Sequence, residues 1–313
     1  MKRLLHSTAA ALARIFPSPM RAVVALWASA HRLMVAKPRW LLIELANQLN
    51  YRAQVLARLA NGMKIHVVAN DVVGQAICFS GFFEPESIPL YERVLTERKV
   101  FLDVGAHVGQ FTLLASRLVG PRGRVVSFEP DPQTHRLLCK SIALNELTNV
   151  VTVRAALADV NGVQSFHLSQ ARNIGANSLR PPAQGLDARA SVQVECWRMD
   201  DFLKRNGIPK PDLVKIDVEG AELLLLDGAR ETLGGPDQPI LIVEFCEITL
   251  AQFGATCQQL AARLESFGYH LMHVSGWPLQ PYAGPHPEGR AINVAAIPPA
   301  LVREFAAPSH ATG

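Results

Sequence analysis

The sequence predicts an α/β fold: a mostly parallel sheet covered by helices on both faces, preceded by a basic helical extension. Three observations predict it. From residue 100 onward, short apolar runs alternate with stretches whose apolar residues recur at helical spacing. The runs VFLDV (100–104), DLVKIDV (212–218) and PILIVEF (239–245) are apolar almost throughout, as strands buried on both faces must be. Residues 1–60 lack this rhythm and carry nine Lys/Arg against a single acid, Glu44.

Prolines at 17, 19 and 38 divide residues 1–60 into three helical stretches. NGMKIHVVAND (61–71) reads as a turn followed by short β-like runs, and GFFEPESIPLYERVL (81–95) as a loop entering a short helix. VFLDV is the first core strand. The helix after it spans 108–119, with apolar residues at 108, 111, 115 and 118, and stops at Gly120-Pro121. RVVSFE (124–129) is the second strand. Asp131-Pro132 supplies an N-cap and a first-turn proline for a helix whose face continues through Leu138 and Ile142. VVTVRAAL (150–157) is the third strand, and residues 163–168 and 191–197 alternate like a pair of strands around a loop of small residues. DLVKIDV and PILIVEF are the fourth and fifth core strands. A helix at 255–267, closed by Gly268, and strands at 269–275 and 291–297 complete the sheet. These boundaries give an extension at 1–61 and an α/β domain at 62–313, with its core at about 98–297.

Composition narrows the class. Of 313 residues, 49% are hydrophobic and 19% charged, which suits a large core and excludes wholesale disorder. The five cysteines (78, 139, 196, 246 and 257) form no C-x-x-C pair and match neither a zinc site nor a disulfide framework; they read as reduced thiols of a cytoplasmic protein. The net charge of +4 divides unevenly: residues 1–60 carry +8, and the remainder, with 22 bases and 26 acids, carries −4. An acidic catalytic part without a basic aromatic stripe argues against nucleic acid as a partner. The extension suits peripheral contact with an anionic membrane surface, or is an ordinary solvated helical face. Its longest apolar run, AVVALWASAHRLMVA from residue 22, is broken by His31 and Arg32 and falls short of the ~18 residues a membrane span needs. The opening MKRLLHSTAAALARIF, basic and free of acids, reads as an amphipathic helix; it resembles a transit leader only weakly and a secretory one less, since Arg14 interrupts its apolar region.

The segment FLDVGAHVGQFT (101–112) ends a strand, turns through two glycines and enters a helix. In open α/β sheets the ligand lies beyond the carboxyl ends of the strands. A dinucleotide loop would read G-x-G-x-x-G. Here Gly105 is the first glycine, but His107 stands at the second, where a side chain obstructs a diphosphate. No Gly-Lys-Ser/Thr follows, so the loop is built for a ligand without phosphates. Glu129 ends the second strand 24 residues after Gly105, where an acid accepts hydrogen bonds from ribose hydroxyls. The structural alternative for Glu129 is to place negative charge at the start of the following helix. A nucleoside without phosphates on such a loop points to S-adenosylmethionine.

FLDVGAHVGQFT, VVSFEPDP, LVKIDVEGAELLLLDGA and PILIVEF, in this order, resemble an FkbM-type methyltransferase. SGFFEPES upstream and INVAAIP near the end resemble the flanks of that family, and the likeness covers roughly residues 62 to 297. The resemblance implies a Rossmann-like, seven-stranded class I methyltransferase sheet and methyl transfer from S-adenosylmethionine, commonly to a hydroxyl of a sugar, glycan or secondary metabolite. It implies cofactor contacts from Asp103, Gly105, Gly109 and Glu129, with Pro130 and Ala156 grouped beside them. The family usually has Asn where this chain has His107, whose imidazole can still donate a hydrogen bond to the methionine end of the cofactor.

KIDVEGAE offers Lys215, Asp217, Glu219 and Glu222 at the ligand edge, with 215, 217 and 219 on one face if the strand runs on. Methyl transfer needs alignment and removal of a hydroxyl proton, for which a carboxylate or a desolvated lysine can serve. Asp217 is the leading candidate base, with Lys215 and Glu219 beside it; helix capping is the alternative for Glu219 and Glu222. The same carboxylates with Glu244 could hold a divalent metal, for which nothing else in the sequence speaks, so no metal ligand is assigned. A nicotinamide-dependent oxidoreductase is the competing enzyme reading and a non-catalytic scaffold the competing non-enzyme one. His107 argues against the first and the intact Asp103, Gly105 and Glu129 set against the second.

Overall fold

The computed structural model describes residues 54–169, 177–181, 188–285 and 289–305. They fall into two compact units, residues 54–83 and the residues from Glu84 onward. The helices expected before residue 54 lie outside the described residues. Over 54–61 the helical expectation fails. Gln54–Arg58 is a strand, β1, paired antiparallel with β2 (Lys64–Val68) across a turn in which Gly62 has φ +88°. The run QVLAR holds three consecutive apolar residues and shows no period-2 alternation that would have marked it as a strand. The Val72–Ser80 helix follows, its first turn capped by Asp71, which accepts from the Gly74 amide.

The second unit opens with a short helix at Ile88–Val94. Its sheet is built from β3 (Val100–Val104), β4 (Arg124–Phe128) and β5 (Val150–Val153). The smaller strands β6 (Ala155–Leu157), β7 (Gly162–Ser169) and β8 (Ala188–Trp197) come next, followed by β9 (Leu213–Ile216) and β10 (Ile240–Phe245). Last are β11 (His270–His273), β12 (Gln280–Pro281) and β13 (Ile292–Ile297). The large sheet has the order β12-β11-β13-β10-β9-β3-β4-β5. Strands β5, β4, β3, β9 and β10 are parallel, β13 runs antiparallel to β10, and β11 antiparallel to β13. The two-residue β12 hangs on the outer edge, so the expected seven strands are present with one small addition. This is the Rossmann-like arrangement. Strand order reverses between β3 and β9, which opens a crevice at their carboxyl ends.

One expected strand is divided. Residues 150–157 break at Arg154, after which β6 leaves the large sheet and joins β8 and β7 in a three-stranded sheet of its own. An apolar run shows that a strand exists but not which neighbour it pairs with, so the sequence could not reveal the change of sheet.

The core accounts for the continuous apolar runs. Every residue of β3 is buried, as expected of a central parallel strand. Leu102, Val104, Val126, Phe128, Val214, Ile216, Leu241 and Val243 pack on one face against Phe202, Leu225, Leu226, Leu260 and Leu264 from the covering helices. Truncating one of the aromatic side chains in such a core costs about 3–5 kcal/mol. The helix after β4 starts as read. Asp131 caps it by accepting from the Gln133 amide at 2.8 Å, and Pro132 occupies its first turn.

Candidate active site

The turn after β3 is fastened to its neighbours by main-chain contacts. The amides of Gly105 and Ala106 both donate to the Phe128 carbonyl, at 3.1 and 2.9 Å. The His107 amide donates to Glu129 Oε2 at 2.9 Å. Three consecutive amides are therefore committed within the protein and cannot form the donor nest a diphosphate needs. Gly105 has φ +80°, and a Cβ there would fall 1.7 Å from the Asp217 carbonyl oxygen. Gly109, at φ +95°, starts the Gln110–Val119 helix, and a Cβ there would strike Leu138. His107 also lies in the left-handed region, at φ +51°. Asn, Asp and His are the non-glycine residues enriched there, so the His107/Asn difference from the family pattern keeps the backbone shape. Shape is a reason for this position that the expected polar contact did not include.

Glu129 is buried just past β4. Its Oε1 accepts from the Asp131 amide at 2.9 Å and its Oε2 from the His107 amide. Each oxygen keeps one lone pair for a further donor, which suits a pair of vicinal hydroxyls. Burial pushes its pKa up to about 8 despite those amides. Pro130 is half-buried beside it, and Asp131 is fixed in turn by Thr134 Oγ1 and by Asn177 Nδ2. Asp103, fully buried, accepts from Thr112 Oγ1 at 2.6 Å through Oδ2, while its Oδ1 has no partner among the described residues. Ala156, in β6, packs with Phe166, Val194 and Cys196 in the core of the small sheet.

The acidic residues converge at the neighbouring edge. Lys215 stands opposite Asp103 in the register of β9 and β3, only 4% of its side chain is exposed, and its Nζ donates to Asp217 Oδ2 at 2.7 Å. Burial alone would lower the pKa of Lys215, but the carboxylates of Asp217 and Asp103 hold it above the ordinary value. This environment favours the charged form of Lys215, which weighs toward orienting Asp217 and against serving as a base. Glu219 has φ +53°, and burial followed by the charges of Asp217 and Glu222 drives its pKa well up. Glu244, at the end of β10, is driven up by burial and by Asp217, Glu219 and Glu222. Glu222 opens the Glu222–Asp227 helix and accepts from the Val218 and Gly220 amides, the capping role weighed for it. Its Oε2 is buried without a partner among the described residues, and burial raises its pKa to about 7. Among the described residues, no group of three His, Cys, Asp or Glu side chains could hold a metal ion.

Sequence reasoning did not single out five residues of this edge. Asn177 donates to Asp131 Oδ2 at 3.1 Å, and Ser178 Oγ donates to the Glu219 carbonyl at 3.1 Å, so residues 177–181 touch both halves of the site. That segment has no periodicity to read. Asn293 Nδ2 donates to Glu84 Oε2 at 2.8 Å. Burial and the charge of Asp217 raise the Glu84 pKa to about 7, against the opposing influence of Lys215 and Asn293. Tyr91 is fully buried, stacked on Phe111 with ring centroids 4.9 Å apart, and its hydroxyl has no partner among the described residues. Glu84 lies in SGFFEPES and Asn293 in INVAAIP, so the two flanking motifs meet at this point.

A crevice whose loop spends its amides on the Phe128 carbonyl and the Glu129 carboxylate, beside an ion-paired carboxylate, is that of a Rossmann-like methyltransferase fold rather than a dinucleotide site. Residues 103–271 match the methyltransferase FkbM domain, and the chain belongs to that family. Among its relatives are methyltransferase sdnD of Sordaria araneosa, 29% identical over 44% of this chain and 62% of that protein, and the hexuronic acid methyltransferase AglP of Haloferax volcanii, 29% identical over 48% and 58%. The 2-O-methyltransferase NoeI of Sinorhizobium fredii is 29% identical over 43% of this chain and 58% of its own length. The chain thus spans about three fifths of these relatives. The solved methyltransferase FkbM from Methylobacillus flagellatus KT aligns with 89% of this chain and 58% of its own, at 14% identity and a TM-score of 0.42.

Proposed function

We propose that this protein transfers a methyl group from S-adenosylmethionine to a hydroxyl of a sugar, glycan or small metabolite. The observation that carries this reading is the adjacency of the two halves of the site. Gly105 of the phosphate-free loop lies directly against the main chain of Asp217, the residue paired with Lys215. The residues fit the cofactor: Glu129 offers two lone pairs to ribose hydroxyls, and Asp103 Oδ1 is a buried oxygen still lacking a partner among the described residues. Gly105, His107, Gly109 and Pro130 would shape the remaining wall. Names such as hexuronic acid methyltransferase and 2-O-methyltransferase among the relatives support a sugar-type acceptor.

When bound, S-adenosylmethionine supplies an electrophilic methyl group. The chain supplies alignment and a place for the acceptor proton. Asp217 serves as the base, because its carboxylate faces a lysine that cannot give up its own proton. Burial and the neighbouring carboxylates drive the pKa values of Glu219 and Glu244 well up, which favours their protonated, hydrogen-bond-donating form. Residues 1–60, with a charge of +8, would bring the protein to an anionic surface. The test of the cofactor assignment is calorimetry with S-adenosylhomocysteine. Glu129→Ala should lose two hydrogen bonds to buried hydroxyls, on the order of 2–4 kcal/mol in affinity. Unchanged affinity in that variant would remove Glu129 from the cofactor site.

A further inference from the structure

Glu84 stands outside the cofactor loop; its main chain caps the short turn at Pro85–Ser87, and its side chain makes no capping bond there. It has φ +55°, a left-handed backbone that glutamate rarely adopts, and such outliers persist where the surroundings fix them. Asn293, which pairs in register with Glu244 across β13 and β10, reaches it from the last strand of the sheet. That hydrogen bond uses Oε2, and Oε1 has no partner among the described residues. The buried hydroxyl of Tyr91 has no partner among the described residues, and it feels the charges of Asp103, Glu84 and Asp217. A buried tyrosine hydroxyl without a partner asks for a polar group to satisfy it.

We propose that Glu84, oriented by Asn293, positions the acceptor by binding the hydroxyl next to the one that Asp217 deprotonates, so that the acceptor is a vicinal diol. This rests on the methyl-transfer reading above. Two carboxyl groups in one site share protons unequally. Asp217 is ion-paired with Lys215, while Glu84, with its pKa near 7, can donate to or accept from a neighbouring hydroxyl. The Tyr91 hydroxyl lies within reach of the same charges, and a polyhydroxylated ring offers it a partner.

The experiment uses the full chain, S-adenosylmethionine and a panel of methyl glycosides (gluco-, galacto-, manno- and glucuronoside). Each glycoside is paired with the deoxy counterpart lacking the hydroxyl beside the methylated one. Wild type should show a KM about tenfold or more lower for the diol than for its deoxy partner. Glu84→Gly should erase that contrast by raising KM for the diol to that of its deoxy partner, and Glu84→Gln should keep part of it. Glycine suits φ +55°, and a melting temperature within about 3 °C of wild type will show that the fold is intact. The proposal is overturned if the contrast survives Glu84→Gly, if both probes lose equally, or if wild type shows no contrast. It is also overturned if S-adenosylhomocysteine binds but no glycoside of the panel is methylated. If wild type does not bind S-adenosylhomocysteine at all, the methyl-transfer reading itself fails.

Discussion

Replacing Asp217 by Asn removes one negative charge at nearly constant shape, and the structure indicates where the loss is felt. Lys215 Nζ donates to Asp217 Oδ2 at 2.7 Å from an almost fully buried position. Asparagine keeps an acceptor oxygen, so a hydrogen bond can survive while the charge pairing does not. Removing one partner of a buried pair costs about 3–5 kcal/mol when nothing replaces it. Here Asp103 still faces the lysine, so about 1–3 kcal/mol of stability is the expected loss. A positioned base contributes ~10²–10⁴-fold in rate, and turnover should fall by that factor while affinity for S-adenosylhomocysteine stays within a few-fold. The neighbouring carboxyls then respond. The charge of Asp217 helps hold Glu84 and Glu244 protonated, so in the variant both release protons at lower pH. Residual turnover should therefore rise with pH, with a midpoint below about 7, as Glu84 takes over part of the negative charge. The assay is release of S-adenosylhomocysteine across the pH range with the glycoside panel, run beside calorimetry. Normal turnover in Asp217→Asn would make the residue structural. Loss of affinity in step with rate would move it into the cofactor pocket, leaving Glu219, Glu244 or His107 as candidate bases.

Two further expectations concern stability and location. Glu84 and Glu222 are held up to about 7 and Glu129 to about 8, all above the ordinary 4.5, so between these values the folded protein binds more protons than the unfolded chain. Their stabilisation is complete below about 4.5 and is lost as pH rises through 7 to 8, so the ligand-free protein should melt at a higher temperature near pH 6 than near pH 8.5; thermal scans showing the opposite order would contradict the burial assigned to these groups. For residues 1–60, each basic residue near an anionic bilayer contributes about 1 kcal/mol, and salt weakens the effect. The full chain should therefore pellet with phosphatidylserine vesicles at low salt and release at high salt, and pelleting that ignores salt would exclude the electrostatic contact.

The large sheet was legible because its strands are buried on both faces, and unbroken apolar runs as short as VFLDV and PILIVEF suit a central parallel strand better than a helix. Asp103, Gly105, His107 and Glu129 were legible because they sit on one strand-turn-helix segment and the end of the next strand, where local geometry fixes their relation. Two things were hidden for the same physical reason. The departure of β6 from the large sheet and the meeting of Glu84 with Asn293, 209 positions apart, are set by long-range pairing that no local period encodes. The second partner of Lys215 was hidden too: only the register of β9 and β3 sets Asp103 opposite it.

On the proposed reading, the contact between Gly105 and the Asp217 carbonyl would give donor and base a common datum. Methyl transfer depends on the spacing between them, and a displacement of well under an ångström is costly. Because the two main chains touch with no side chain between, any local shift carries both together, and the gap is not left to a stack of individually adjustable side chains. The walls that would recognise the acceptor are built on other segments, among them Glu84 before Pro85 and Asn293 on β13. Those walls can be exchanged for a new acceptor without resetting the distance over which the methyl group must travel.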